Sequence, residues 1–139
     1  MAKPTKQDAY VLLKLVELAG SPRSQEARNW FLKNFDASNY EEFKMKYPEG
    51  SVEYAHVTSL LGFFETVGVL VTHGLLNEDL YFDLNFGLTQ LWTKLGPIVT
   101  GWQKATSPAL WENAVWLAER NETWAKNTWK PGLTWKMNE

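Results

Sequence analysis

One acidic residue, Glu65, stands near the middle of a long apolar stretch that runs from residue 57 to residue 76. On a helical wheel Glu65 shares a stripe with Tyr54, Thr58 and Thr72, opposite the face that collects most of the large apolar side chains. The residues beside this stripe are small, so a second helix could approach closely and bury the carboxylate. Glu65 is therefore predicted either to lock two helices together or to serve as a general acid, base or ligand anchor.

A buried carboxylate requires a cation or hydrogen-bond donors. The partner of Glu65 must come from another element, because no Lys or Arg occurs between residues 47 and 93. The candidate cations are Arg28, Lys94 and Arg120, with tyrosine and threonine hydroxyls as neutral alternatives. A pocket near Glu65 and Trp92, lined by aromatic side chains, is the expected position of any small ligand or lipid.

The two histidines do not define a metal site. His56 falls on the apolar face, where a hydrogen-bonded core histidine is the simplest interpretation. It also completes Glu53-x-x-His56, the spacing by which a bundle helix supplies ligands to a di-iron centre. Such a centre needs a second copy of the motif, but Leu70 stands three residues before His73. We therefore predict no metal and no catalytic residue, and we group His56 with Glu65 and Trp92 as a polar lock or ligand site.

Several chemistries are excluded by composition. The 139 residues contain no cysteine, which excludes disulfides, zinc–thiolate sites, iron–sulfur clusters and a thiol nucleophile. The sequence also lacks a nucleophile elbow, a P-loop and a dinucleotide-binding glycine turn. Its 14 basic and 16 acidic residues give a net charge of −2, which argues against nucleic-acid binding. We expect no cofactor and favour a non-enzymatic role.

Helix punctuation predicts an all-α, single-domain bundle of five or six helices over residues 1–139, with an irregular tail at residues 127–139. Serine or asparagine caps, prolines and glycines set the predicted bounds. These bounds are Lys6–Ala19, Pro22–Phe35, a short helix opened by a capping box at Ser38, Ser51–His73, Asn77–Leu95 and Ser107–Lys126. The first helix should bury an arc that includes Leu13, Leu15, Val16 and Leu18. The helices Ser51–His73 and Asn77–Leu95 should form a central antiparallel pair, and the second of them should be broken or kinked at Gly96-Pro97.

The long apolar stretch also has the length of a membrane span. A central acidic residue such as Glu65 costs about 2.5–3.5 kcal/mol on insertion scales, and positive flanking residues are missing. The first residues lead directly into a helical pattern with charges inside it, so a secretory signal is not indicated. We expect a core helix rather than a membrane helix, and a cytoplasmic protein.

The most distinctive segment runs from Leu61 to Val71 and includes Phe63-Phe64-Glu65 and Gly68; His73-Gly74-Leu75-Leu76 follows it. Together with Trp92, Pro97-Ile98 and Leu110-Trp111-Glu112-Asn113, this segment resembles a family of all-helical bacterial proteins, domain of unknown function 4760. The resemblance covers roughly residues 50–125. It implies an all-helical fold and carries no activity with it.

Aromatic residues make up 14% of the chain, and some of them fall outside the predicted core faces. They are covered by other elements, or they form an interface with a partner. The interface candidates are Phe82, Phe86, Trp116, Trp129 and Trp135. We expect a homodimer that associates through an aromatic helix face. A small-ligand or lipid-binding module is the alternative function.

Overall fold

The computed structural model describes residues 3–128, and within this range every regular element is a helix. The helices are α1 (Lys6–Ala19), α2 (Pro22–Asn34), α3 (Tyr40–Lys46), α4 (Val52–Thr72), α5 (Glu78–Leu84), α6 (Leu88–Ala105) and α7 (Glu112–Thr128). The predicted all-α class is confirmed. The described range contains seven helices rather than five or six, because one predicted helix is divided.

Most helix starts are set by the polar side chains that predicted them. Ser21, Ser51 and Asn77 accept hydrogen bonds from backbone amides of the first turns of α2, α4 and α5. The cap of α3 is Asn39 rather than Ser38, one residue later than predicted. The Ser38 amide instead donates to the carboxylate of Glu42 in the first turn, so the capping interactions are shifted by one residue from the predicted positions.

The predicted helix Asn77–Leu95 is divided into α5 and α6, which corrects the sequence-based boundaries. The chain leaves the helix at Asn85 and Gly87, which have left-handed φ angles of 59° and 78°. Asn85 Oδ1 accepts a hydrogen bond from the Gly87 amide at 3.0 Å and stabilises the turn. The leucine periodicity across this segment continues through the turn and therefore hides it.

The predicted helix end at Leu95 is wrong, because α6 continues through Gly96-Pro97. Proline removes one helical hydrogen bond and crowds the preceding turn. Leu95, Ile98 and Val99 are all buried on the same core, so packing holds both sides of Pro97 in one helix.

The centre of the fold is α4, which makes its most extensive helix contacts with α7 and α2. The sequence predicted that α4 packs against one helix running from Asn77 to Leu95. That helix is divided at Asn85 and Gly87, and its second part, α6, packs against α3 and α7 instead. By length and composition alone α4 could also cross a membrane. In the fold it buries six residues: Val57, Leu60, Leu61, Phe64, Val67 and Gly68.

Much of the aromatic excess forms clusters between helices. Tyr40 of α3 stacks on Trp102 of α6 with ring centroids 5.5 Å apart, and Phe43 contacts both rings. Tyr54 of α4 closes this cluster against Phe43 and Trp102. These tryptophan and tyrosine side chains are therefore architectural.

Helix α1 buries few of its side chains. Its only buried residues are Asp8 and Leu15, whereas Leu13, Val16 and Leu18 of the predicted apolar arc are exposed. The prediction holds for Leu15 and is wrong for the other three leucine and valine side chains, because the more extensive contacts of α1 are with α2 and α5 and leave this side of the helix uncovered.

Asp8 fixes the start of α1 and ties it to α5. Its carboxylate accepts hydrogen bonds from the Thr5 amide at 2.7 Å and from the Asn77 amide at 2.9 Å. Thr5 Oγ1 in turn accepts from the Asp8 amide, which completes a capping box. The backbone hydrogen bond from Thr5, helped by the Thr5 hydroxyl and the Asn77 amide, holds the pKa of Asp8 below its ordinary value of 3.8 despite burial.

Replacing Asp8 with asparagine should lower the free energy of unfolding by about 1 kcal/mol at neutral pH, the usual value of a helix cap. The folded-state pKa is lower than the unfolded one, so the wild-type contribution is complete above about pH 5 and is lost as pH falls through the folded-state value. Urea unfolding from pH 7 to pH 2.5 should show the two proteins converging in acid. Asp83→Asn, at an exposed carboxylate of α5, is the control; an equal loss in both variants contradicts the assignment.

Candidate functional site

Glu65 joins α4 to the N-terminus of α7. Its Oε1 accepts a hydrogen bond from the Ala114 backbone amide at 3.0 Å, and its Oε2 accepts one from Asn113 Nδ2 at 2.8 Å. The donors are neutral amides rather than the predicted cations or hydroxyls. The carboxylate also lies at the positive end of the α7 dipole, which favours a negative charge.

The residue before α7 explains why this helix needs an acceptor from elsewhere. The Trp111 carbonyl accepts the first helical hydrogen bond from Val115, so Trp111 occupies the N-cap position. An indole ring has only a donor and cannot accept from the first-turn amides. Ser107, which predicted an earlier start, instead accepts from the Ala109 amide in a preceding turn. Glu65 therefore supplies the cap that Trp111 lacks.

A glycine one turn after Glu65 allows the two helices to meet. A Cβ atom added to Gly68 would lie 2.4 Å from the Asn113 carbonyl oxygen, far inside van der Waals contact. Gly68 is buried, so the first turn of α7 rests directly on the α4 backbone. Glu65 and Gly68 thus form one docking element, with the acceptor and the space that the α7 N-terminus requires.

The cations proposed for Glu65 have other positions. Arg28 Nη2 donates to the Phe86 carbonyl oxygen at 3.1 Å, and Lys94 is exposed. Arg120 forms an ion pair with Glu78 of α5, with Nε 2.9 Å from Oε1.

A second hydrogen bond attaches the distal half of α7 to α5. Trp124 Nε1 donates to Asp79 Oδ1 at 2.7 Å. Because Arg120 also pairs with α5, α7 is held at its N-terminus by α4 and further along by α5.

The other members of the predicted polar site lie apart from Glu65. His56 packs against Trp30 of α2, with ring centroids 5.6 Å apart. Trp92 lies along its own helix, where its Nε1 is 3.1 Å from the position of a Cβ added to Gly96. Neither residue lines a described cavity, and neither does Glu65. Among residues 3–128, no group of three His, Asp or Glu side chains is arranged to hold a metal.

The aromatic interface candidates differ in exposure. Phe82 is buried and contacts Trp124, and Phe86 is half-buried, stacked on Tyr81 at 4.8 Å. For Phe82 the structure matches the alternative of cover by other elements, whereas Phe86 remains partly accessible. Trp116 is 36% exposed on α7. Trp129 and Trp135, with most of the predicted irregular tail, lie outside the described residues.

The chain matches a known protein family over most of its length. A family model described as "Domain of unknown function (DUF4760)" matches residues 4–121. The chain belongs to this family. No curated protein and no solved structure matches the chain. The DUF4760 match begins before α1 and extends into α7, so it includes Glu65, Gly68 and the first turn of α7.

The DUF4760 domain has a surface groove that sequence reasoning missed, which we call the Arg28 groove. It has a volume of about 620 Å³ and lies between the end of α1, Arg28 of α2 and the turn between α5 and α6. Its walls include Val16, Gly20, Leu84, Phe86 and Gly87. The only sequence signal was the presence of Arg28 among the cations considered for Glu65.

The DUF4760 domain also has an exposed stripe on α1, which we call the α1 seam. It consists of Lys6, Tyr10, Leu13 and Glu17, which follow one another at alternating helical spacings of four and three residues. All four side chains are exposed; Tyr10 reaches 72% and Leu13 reaches 64%. The seam places two large apolar side chains between a basic end and an acidic end.

Proposed function

We propose that this protein is a non-enzymatic helical module that self-associates as a symmetric homodimer, and that α1 seams from two copies form the interface. The observation that carries the proposal is the charge pattern of the seam. Lys6 precedes Tyr10 by four residues, and Glu17 follows Leu13 by four residues. The seam is therefore complementary to its own antiparallel copy.

An antiparallel two-fold arrangement centred between Tyr10 and Leu13 pairs all four positions. Tyr10 faces Leu13 of the partner subunit, and Lys6 faces Glu17 of the partner subunit. The same contacts occur twice, as a two-fold interface requires. A parallel arrangement would instead bring Lys6 against Lys6 and Glu17 against Glu17, so the charges select the antiparallel one.

One further property of α1 supports the proposal. Tyr10 and Leu13 are neighbours on one helix face and are both exposed, so they form a contiguous apolar patch of the kind that marks interaction surfaces. Glu17 also forms an ion pair with Lys14 of its own helix at 2.9 Å, so dimerisation must exchange that exposed pair for one with Lys6 of the partner subunit. This surface replaces the predicted aromatic face because Phe82 is buried and Trp116 is less exposed than Tyr10.

The proposed dimer should be weak. A helix of 14 residues is about 21 Å long, so a single helix pair buries less area than a standard interface. We expect a dissociation constant of roughly 10–100 µM, about 5.5–7 kcal/mol of association free energy. Sedimentation equilibrium up to several times this concentration measures it.

Charge exchange across the seam tests the pairing. Lys6→Glu and Glu17→Lys should each weaken dimerisation, because each places like charges opposite one another. The double variant should restore dimerisation, because it exchanges both ends of the seam. Leu13→Glu should abolish it, whereas Met45→Glu, at an exposed apolar residue of α3, should leave it unchanged. A monomeric wild-type protein, or a double variant weaker than both single variants, contradicts the proposal.

A further inference from the structure

The Arg28 groove has the charge of a site for a single anionic group. Among the described residues that line it, Arg28 is the only ionisable one, and none is acidic. In a protein with a net charge of −2, this leaves one uncompensated cation facing an open volume. The groove has a volume of about 620 Å³ and is open to solvent, so a small ligand would lie along its walls rather than be enclosed.

The Arg28 guanidinium is held in place by the turn between α5 and α6. Nη2 donates to the Phe86 carbonyl oxygen at 3.1 Å. Gly87 lies so close that an added Cβ would be 2.9 Å from Nη1. No other hydrogen bond joins this guanidinium to the described residues, so its remaining N–H donors are available to a ligand. A positioned guanidinium of this kind binds carboxylates through two parallel hydrogen bonds.

The remaining walls provide apolar surface and amide groups. Val16 and Leu84 are exposed large aliphatic side chains, and Phe86 is partly buried and packs against the core. Gln25 already donates to the Ala19 carbonyl oxygen at 3.2 Å, which holds the ends of α1 and α2 together beside the groove. A ligand with only a charged head would leave this apolar surface in water.

We propose that the Arg28 groove binds a small amphiphilic monocarboxylate, with its carboxylate on Arg28 and its apolar body against Val16, Leu84 and Phe86. One cation matches one carboxylate better than it matches a doubly charged phosphate ester. The groove lies beside the α1 seam and shares no residue with it, so this site does not depend on self-association.

Titration of the ¹⁵N-labelled protein with octanoate tests the site. Amide shifts of Gly20, Gly87 and Gln90, which line the groove, should change saturably. Octan-1-ol lacks the charge and inorganic phosphate lacks the apolar body, so each should bind at least about tenfold more weakly than octanoate. Absence of saturable octanoate shifts at these amides overturns the proposal, and so does phosphate binding as tight as octanoate binding.

Substitutions test whether Arg28 supplies the positive charge that binds the carboxylate. Arg28→Gln should weaken octanoate binding about ten- to hundredfold, the value of a charge-assisted hydrogen bond. Arg23→Gln removes the same charge from an exposed position of α2 and should bind octanoate like the wild type. Because Arg28 also supports the Phe86 turn, Leu84→Glu serves as a second variant, which places a repelling carboxylate at the groove edge. The proposal is overturned if Arg23→Gln weakens octanoate binding as much as Arg28→Gln does. It is also overturned if Leu84→Glu binds octanoate like the wild type while its amide shifts outside the groove show an intact fold.

Discussion

Gly68→Ala should lower the free energy of unfolding by about 2–3 kcal/mol, a large effect for one added methyl group. The added Cβ would lie 2.4 Å from a backbone oxygen of α7, and backbone atoms cannot move aside as a flexible side chain can. Overpacking of this kind costs about 1–3 kcal/mol, and here it also displaces the α7 amides from Glu65. Chemical denaturation measures the loss.

Gly62 provides a matched control on the same helix. A Cβ added at Gly62 meets nothing within 4 Å, so Gly62→Ala retains only the intrinsic advantage of alanine in a helix. It should raise the free energy of unfolding by up to about 1 kcal/mol. Opposite signs for the two glycines are the expected result, and equal effects would show that α7 does not rest on α4 at Gly68.

Glu65→Ala should lower the free energy of unfolding by about 2–3 kcal/mol, because two hydrogen bonds to a carboxylate are lost and the α7 N-terminus is left without a cap. Glu65→Gln keeps the shape and one acceptor oxygen, so it should cost about 1 kcal/mol, mainly the charge–dipole contribution. Hydrogen exchange at Ala114 should accelerate in Glu65→Ala before the rest of α7 is affected.

A double-mutant cycle separates the two hydrogen bonds of Glu65. Asn113→Ala removes the side-chain donor and leaves the Ala114 amide in place, so its coupling to Glu65→Ala should be about 1 kcal/mol. Glu119→Gln, at an exposed position of the same helix, should remain within about 0.5 kcal/mol of the wild type. If Glu65→Ala is no more destabilising than this control, Glu65 does not act as a structural contact, and a ligand-binding role for it regains support.

The sequence predicted the features that depend on neighbours along the chain. Ser21, Ser51 and Asn77 cap helices that begin one residue later. Because each cap bonds to an amide only three residues away, the local sequence is enough to predict it. The turn at Asn85 was hidden because the leucine spacing of α5 continues in α6 without interruption.

The features that were missed depend on distant partners. The acceptor that starts α7 is Glu65, 49 residues before the Ala114 amide, and the carbonyl that holds Arg28 is 58 residues away. The prediction for Glu65 identified the residue and sought cations for it. Backbone and side-chain amides carry no charge pattern that a sequence reveals, so its actual partners were not predictable.

The cap that Glu65 provides also bears on the order in which the chain assembles. Helices α1 to α5 each begin at a residue whose own side chain accepts from the first turn, so each can nucleate locally. Helix α7 has an indole at that position and borrows its acceptor from α4. We therefore expect the first turn of α7 to become stable only when α7 docks on α4. A condition that separates α7 from α4 should destabilise that turn as well.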